Sequence, residues 1–195
     1  MTIETHPLQP FLPKNGCMLF LGSFPPPQAR WSMEFFYPNY INDFWRILGL
    51  IHYADKNYFE VKGEKRFDKE RIVDFAQEKG LAFYDTASKV KRLKDNASDN
   101  FLEILEPTDI GALLAEMPAC CKIVTTGGKA SEELRVQLSK AIGLPEGNLI
   151  ALPQIGEFVD LIAYGRNLRW YRMPSSSRAY PLKLEKKAEQ YRKLF

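Results

Sequence analysis

Residues 19–45 read LFLGSFPPPQARWSMEFFYPNYINDFW and place a long, ring-rich segment directly after a short apolar run. The run MLFLG at 18–22 is continuously apolar, which is typical of a strand buried on both faces of a parallel sheet. A strand-to-helix connection usually needs a few residues, whereas about twenty separate this run from the next helical pattern. Loops of this length usually bind something, and the many rings favour a flat ligand.

Apolar strand patterns alternate with helical patterns along the rest of the chain. Strands are predicted at 18–22, 81–85, 121–128 and 148–153, with a further candidate at 168–177. Helices are predicted at 42–51, 68–80, 108–118, 129–143 and 181–195. Irregular structure is predicted for 52–67, and a basic loop for Lys89, Lys91, Arg92 and Lys94. The alternation predicts an α/β fold with a parallel sheet covered on both faces, in one domain over residues 1–195.

Ligands of such folds bind beyond the carboxyl ends of the parallel strands. Three features lie at or just after the ends of predicted strands and therefore belong to that edge: the loop after Gly22, the Gly127–Gly128 turn and the serine run after Met173. The loop and the turn lack the G-x-G-x-x-G and G-x-x-x-x-G-K-[ST] patterns of phosphate-binding loops. Nucleotide triphosphate chemistry is therefore disfavoured.

The composition is that of an ordinary globular protein, with 45% hydrophobic and 26% charged residues in a chain of 195. No segment combines a basic start with the apolar core of a signal peptide, and no apolar run reaches about 18 residues. We therefore expect a cytoplasmic monomer without a membrane partner.

Cysteine and histidine usage argues against a metal site. The cysteines Cys17, Cys120 and Cys121 form neither a C-x-x-C pair nor a four-cysteine set. The histidines are His6, predicted to lie in an N-terminal tail, and His52, at a helix end, which makes a Ser/His/Asp triad difficult to build. We expect neither a metal nor an organic cofactor.

Positive charge is concentrated near the C-terminus. Residues 161–195 contain nine Lys or Arg and two Glu, whereas the whole chain has a net charge of only +3. This asymmetry is typical of a surface that binds a polyanion. A solvent-exposed final helix would by itself explain Lys186, Lys187, Arg192 and Lys193, so both explanations stay open there, whereas the loop arginines favour binding.

Three stretches make the chain resemble the uracil-DNA glycosylase superfamily, closest to its mismatch-specific and hypoxanthine-DNA glycosylase branches. They are LFLGSFPP followed by FFYPNYINDFW, then GLAFYDTASKVKRLKDNASDN, and finally MPSSSRAYP. The resemblance implies a three-layer α/β/α sandwich with a central, mostly parallel four-stranded sheet. It also implies DNA as the partner and hydrolysis of the N-glycosidic bond of a deaminated base, uracil or hypoxanthine, after that base has left the stack.

The resemblance assigns base binding to the long loop that begins at Gly22. Phe36 or Tyr37 matches the family's base-stacking ring, and stacking returns about 1–3 kcal/mol per base towards the cost of extrusion. The backbone N–H groups of Ser23 and Phe24 would receive a base oxygen and stabilise negative charge on the departing base. Phe36 could equally be a core residue and Ser23 a turn residue.

Asn42, just before the letters DFW, matches the catalytic asparagine on which the hypoxanthine branch relies. An amide is no general base, but its carbonyl oxygen can orient water once the C1′–N bond has largely broken and the sugar is oxocarbenium-like. Many members of the superfamily carry Asp or Asn where this chain has Phe24, and His or Asn where it has Met173. The structural alternative for Asn42 is a helix N-cap, and both roles can coexist.

The serine run matches the loop that the family presses against the minor groove. The candidates for DNA contact in this loop are Ser175, Ser176, Ser177 and Arg178. Hydroxyl groups suit phosphate oxygens, and the arginine offers charge and bulk where a base has left. Arg172 adds positive charge beside the loop, and Lys129, in a turn that matches one near the family's base pocket, is expected to hold phosphate. A polar turn is the structural alternative.

Two alternative functions belong to other classes. Phe24 and Met173 stand where many relatives place polar catalytic groups, which would suit a catalytically silent member of the fold that binds nucleic acid or a free base. The other is an unrelated Rossmann-like protein with a small aromatic ligand, which would leave the C-terminal positive charge unexplained.

Overall fold

Eight β-strands and five α-helices build the structure, a computed structural model that describes residues 2–93 and 101–195. The strands are β1 (Thr2–Thr5), β2 (Met18–Gly22), β3 (Leu81–Asp85), β4 (Ala87–Arg92), β5 (Leu102–Pro107), β6 (Lys122–Thr126), β7 (Glu157–Ala163) and β8 (Arg166–Met173). The helices are α1 (Phe44–Tyr53), α2 (Lys69–Lys79), α3 (Ile110–Ala115), α4 (Gly128–Ala141) and α5 (Leu184–Tyr191). Lys94 and the end of the second family-like stretch, 94–100, lie outside the described residues.

The larger sheet has five strands in the order β3-β2-β6-β8-β7. The first four run parallel, and β7 pairs antiparallel with β8 at one edge. The α/β class is confirmed, but the prediction of a four-stranded sheet is wrong, because a fifth, antiparallel strand extends it. The predicted strand at 148–153 is wrong as well. Three of its six residues are exposed and only Pro153 is buried, whereas Leu168 and Trp170 of β8 are buried, so β8 buries more apolar surface as the strand beside β6.

Helices cover both faces of this sheet, which gives three layers. Successive side chains of a strand point to opposite faces. In β2, Phe20 packs in the core shared with α1, α2 and α5, while Leu19 and Leu21 pack in the core shared with α3 and α4. All five residues of β2 are buried, which confirms the central strand that the sequence predicts.

A second sheet of three antiparallel strands, in the order β1-β4-β5, replaces the predicted basic loop. That prediction is wrong because the described residues of the loop belong to β4. Ala87 and Val90 pack with Phe24 and Leu102, and Lys89 and Lys91 of the same strand pair with glutamates of β5. Because His6 directly follows β1, this sheet brings the N-terminal segment to the end of β3.

The local signals for helix ends are confirmed most clearly at α2. The Asp68 side chain accepts a hydrogen bond from the Arg71 N–H at 3.2 Å, and Gly80 ends the helix with a φ of 64°. Helices α1 and α5 begin two and three residues after their predicted starts. Within the described ranges, every helix is too short or too polar to cross a membrane.

Candidate active site

A cleft of about 1110 Å³ opens at the carboxyl ends of β3, β2 and β6. Five parts of the chain line it: Leu8 near the N-terminus, the loop after β2, Asp85 at the end of β3, the segment from Thr126 into the first turns of α4, and the serine loop at 175–181. Eleven of the twelve predicted site residues meet there: Gly22, Ser23, Phe24, Phe36, Tyr37, Asn42, Lys129, Ser175, Ser176, Ser177 and Arg178. A parallel sheet produces this convergence because its strands all end at the same edge.

Arg172 is the predicted site residue that lies elsewhere. Strand β8 continues through Met173, so Arg172 belongs to the strand rather than to the loop. Its guanidinium Nη1 donates to the carbonyl oxygen of Pro153 at 3.1 Å, outside the residues that line the cleft. The prediction that Arg172 contacts DNA beside the serine loop is therefore not supported by its position.

The two candidate stacking rings differ in their surroundings. Phe36 is only 4% exposed and packs against Phe83, with ring centroids 5.9 Å apart and planes at 23°. Tyr37 is half-buried, and one face of its ring stacks on Phe44, with centroids 3.7 Å apart and planes at 9°. Phe36 is therefore packed as a core residue, which was the structural alternative for it. The ring of Tyr37 is fixed by stacking and forms part of the cleft wall.

Tyr37 is also fixed by its hydroxyl group and its backbone. The hydroxyl lies 2.8 Å from Oγ1 of Thr126, and burial raises the pKa of the phenol, so it stays protonated at neutral pH. Its φ of 51° is in the left-handed region, which is unfavourable for a bulky residue. Strain of this kind persists where surrounding contacts enforce it, and it clusters at functional sites.

Asn42 lies one residue before the N-cap of α1, which is Asp43. Its Oδ1 atom accepts a hydrogen bond from the Phe44 N–H at 2.9 Å, so Asn42 supports the start of the helix without being the N-cap that the structural alternative predicts. A carbonyl oxygen has two lone pairs, and the second can still accept a hydrogen bond from water. The backbone of Asn42 forms an isolated antiparallel bridge with Ser177, which ties this residue to the serine loop across the cleft.

A buried ion pair lies under the junction of Asn42 and the serine loop. The ammonium of Lys187 is 3.0 Å from Oδ2 of Asp43, and both side chains are more than nine-tenths buried. Lys187 also donates to the carbonyl oxygen of Ser177 at 2.7 Å. The Nε of Arg178 donates to Oδ1 of the same carboxylate at 2.9 Å, although this arginine side chain is 48% exposed. Arg178 therefore lines the cleft but is directed towards Asp43.

His6 and Asp85 form a part of the site that the sequence analysis missed. The Nε2 of His6 lies 2.9 Å from Oδ2 of Asp85, and its Nδ1 is 2.9 Å from the carbonyl oxygen of Leu8. Both His6 and Asp85 are 8% exposed. A signal for Asp85 was present, because an acidic residue at the carboxyl end of a buried parallel strand belongs to the ligand edge. None existed for His6, which is placed by pairing of β1 with β4, far along the chain.

Gly22 allows the Asp85 carboxylate to approach the loop. A Cβ atom on Gly22 would lie 2.4 Å from Oδ1 of Asp85 and 4.0 Å from the Tyr37 hydroxyl. Any other residue there would have to displace the carboxylate. The carboxylate, the phenol and the bare backbone thus form a compact polar floor.

The rim of the cleft carries more positive than negative charge. Arg30, Lys129 and Arg178 line it from three different segments, against Glu132 at the rim and Asp85 on the floor. Arg30 is a candidate that the sequence analysis did not single out. Among the described residues, His, Cys, Asp and Glu side chains form no group of three or more that could hold a metal ion.

The fold matches a solved structure, the solution NMR structure of a "putative Uracil DNA glycosylase" from Methanosarcina acetivorans. The match covers 97% of this chain and 94% of that chain, with a TM-score of 0.62 and 19% sequence identity. At this identity the likeness establishes a shared fold, and the function has to be argued from the site. Comparison by sequence gives no match, neither to a protein-family model nor to a curated protein.

Proposed function

We propose that this protein is a DNA glycosylase of the uracil-DNA glycosylase superfamily, which extrudes a deaminated base and hydrolyses its N-glycosidic bond. The observation that carries the proposal is the carboxylate of Asp85, held by His6 on the floor of an open cleft with a basic rim. The fold shared with the Methanosarcina protein supports the same class. So does the convergence of Gly22, Asn42 and the serine loop, each from a family-like stretch, on this one cleft.

Asp85 suits the hydrogen-bonding edges of uracil and hypoxanthine. An ionised carboxylate accepts hydrogen bonds and donates none. Uracil presents N3–H and hypoxanthine presents N1–H, each beside a carbonyl oxygen, whereas the corresponding ring nitrogens of cytosine and adenine are acceptors. A carboxylate on the floor therefore attracts the deaminated bases and repels their parents, and the backbone after Gly22 would meet the neighbouring base oxygen.

Thymine and guanine present edges similar to those of uracil and hypoxanthine. Discrimination against them has to come from the extrusion step, because a base in a mismatch leaves the stack at lower cost than one in a Watson–Crick pair. Deamination creates such mismatches. The substrate is therefore a duplex in which the target base is already weakly paired.

In this mechanism, Tyr37 supplies the ring wall and Asn42 places the water. Binding the base between the Tyr37 wall and the backbone amides stabilises negative charge as the C1′–N bond breaks and its electron pair moves to the base. The free lone pair of Asn42 Oδ1 then orients a water molecule that adds to C1′. The water loses one proton and the departing base gains one, so the reaction is a net hydrolysis.

The test measures base release from end-labelled duplexes that carry a single uracil, hypoxanthine or xanthine. Wild-type protein is expected to release uracil, hypoxanthine or both. Asn42→Ala is expected to retain DNA affinity and to lose about 10²-fold or more in rate, because the water would no longer be held in its attacking position. Asn167→Ala is the matched control, because Asn167 is exposed and lies outside the residues that line the cleft.

The same experiment separates the alternative functions. DNA binding without release of any of the three bases would support the catalytically silent binder instead. DNA affinity should decrease with rising salt, because contacts to phosphate release counterions. An affinity that does not change with salt would contradict DNA as the partner.

A further inference from the structure

Ile41 is an apolar side chain held at the mouth of the cleft. It is 55% exposed, although it lines the cleft and directly precedes Asn42. A single exposed isoleucine needs no explanation on an ordinary surface. This one lines the mouth of the cleft that, under the proposed function, receives the extruded base.

The backbone around Ile41 is fixed on both sides. Its N–H donates to Oδ1 of Asn39 at 3.1 Å, and the Asn42 N–H donates to the carbonyl oxygen of Asn39 at 2.8 Å. The Tyr40 hydroxyl donates to Glu60 at 2.6 Å, and Arg46 donates to the Tyr40 carbonyl oxygen at 2.7 Å. A β-branched side chain on such a backbone has few rotamers. Ile41 therefore projects as an apolar side chain from a rigid backbone, whereas the side chains of Tyr40 and Asn42 are hydrogen-bonded to other residues of the protein.

The arginine that is expected to fill the gap left by the base is held by a carboxylate of the protein. Arg178 was predicted to occupy the space of the extruded base, but its Nε is directed to Asp43 at 2.9 Å. Ile41 has no polar side-chain atoms that need partners among stacked bases. Proteins that unstack DNA commonly insert apolar side chains, isoleucine among them, between base steps.

We propose that Ile41 is a wedge that enters the base stack of duplex DNA at the place vacated by the extruded nucleotide. This inference rests on the proposed function and deepens it, because it makes duplex DNA, rather than a single strand, the favoured form of the substrate. The wedge stabilises the extruded state by covering apolar base faces that would otherwise be exposed to water. A single strand has no opposing stack to fill, so it gains little from the wedge.

The first test compares base release from duplex and single-stranded DNA that carry the same lesion. In Ile41→Ala, the ratio of duplex to single-strand rates should fall about 10- to 100-fold, as expected for loss of a buried aliphatic group. Ile41→Leu should restore most of this ratio. Ile162→Ala is the matched control, because Ile162 is 70% exposed on β7, outside the residues that line the cleft, and should leave the ratio unchanged.

The second test needs no bond cleavage. A duplex with 2-aminopurine next to the lesion becomes more fluorescent when the lesion leaves the stack, and Ile41→Ala should lose most of the increase that wild-type protein produces. An unchanged duplex-to-single-strand ratio together with unchanged fluorescence would overturn the wedge. Fluorescence that depends on Ile41 in a protein that releases no base would instead refute only the glycosylase proposal. Thermal unfolding confirms that each variant is folded.

Discussion

Nε2 of His6 lies 2.9 Å from Oδ2 of Asp85, and this contact joins the first segment of the chain to the end of β3 at the floor of the cleft. The imidazole also has ring contacts with Phe24 and Tyr84, at centroid distances of 5.3 and 4.5 Å. The carboxylate is therefore oriented by a partner that is itself packed. This pair explains how an acidic group on the floor of the cleft keeps a fixed orientation.

Replacing Asp85 with alanine should lower base release by at least about 10²-fold, because the N–H edge of the base would face no acceptor. Single-turnover rates on uracil and hypoxanthine duplexes measure the effect. Asp74→Ala, an exposed change on α2, is the control and should leave the rate of base release unchanged.

Asp85→Asn should lower the rate of base release less than Asp85→Ala does. It should also weaken discrimination against cytosine, because an amide can turn its NH₂ group towards a ring acceptor. Equal rates for wild type and Asp85→Ala would remove this residue from base recognition.

Replacing His6 with alanine should destabilise the protein by about 2–3 kcal/mol, since a buried carboxylate oxygen loses its partner and the rings around it lose a neighbour. Urea unfolding gives the free energy. Replacing the exposed Thr5, one position earlier, with alanine should change it by less than about 0.5 kcal/mol. A His6→Ala protein as stable as the wild type would show that the contact between the imidazole and Asp85 does not stabilise the fold.

Asn42 has two roles that substitution can separate. Asn42→Ala should lose about 1 kcal/mol of stability with the hydrogen bond to the Phe44 N–H, as well as the base-release activity. Asn42→Ser should keep most of the stability, because a serine hydroxyl can also accept a hydrogen bond from the N–H two residues on, yet lose activity, because its shorter side chain does not reach the water position. Denaturant unfolding and single-turnover rates are measured on the same preparations. Full activity of Asn42→Ser would contradict the water-positioning role.

The buried pair Lys187–Asp43 should show strong coupling. Lys187→Met leaves a buried carboxylate facing only Arg178, and breaking such a pair typically costs about 3–5 kcal/mol. Asp43→Asn combined with Lys187→Met should be more stable than Lys187→Met alone, because the buried carboxylate that only the half-exposed Arg178 would balance is then a neutral amide. A double-mutant cycle from urea unfolding measures the coupling. Additive effects of the two changes would show that the pair does not act as a unit.

His52 should make stability sensitive to acid. Burial lowers the pKa of its imidazole below the usual 6.5, with a further decrease from the charge of Lys79, partly offset by Glu78. Among the described residues its buried Nε2 has no hydrogen-bond partner. The unfolded chain therefore binds the proton more readily than the folded protein, so stability is full above about pH 6.5 and declines as the pH falls below that value. His52→Gln should flatten the difference in unfolding free energy between pH 7 and pH 5. His6 is present in both proteins, so its own contribution cancels in the comparison.

The parts of the fold that follow from short-range signals were predictable. The apolar runs at 18–22 and 81–85 and the capping pair of Asp68 and Gly80 are local features, and each is found where the sequence indicates. The prediction of a strand at 148–153 is wrong because two apolar segments compete for the place beside β6. The segment that buries more surface there, β8, forms the strand, and neither segment's own sequence reveals the outcome.

The candidate site was predictable in its residues but less so in their partners. Asn42 and the serine loop meet as expected, because both follow from the edge at which parallel strands end. The attachment of Arg178 to Asp43 and the placement of His6 beside Asp85 depend on pairs 135 and 79 positions apart. Periodicity and composition carry no information about such distant pairs, so only the folded arrangement reveals them.

The small antiparallel sheet has a consequence for the order of assembly during synthesis. Glu4 of β1 pairs with Arg92 of β4, 88 positions later, so β1 cannot join its sheet until the chain has been synthesised as far as β4. Closing such a long loop delays this step relative to the local helices. A nascent chain would thus display its ring-rich loop before His6 has been brought to Asp85, so the acidic floor is completed only after β1 and β4 have paired.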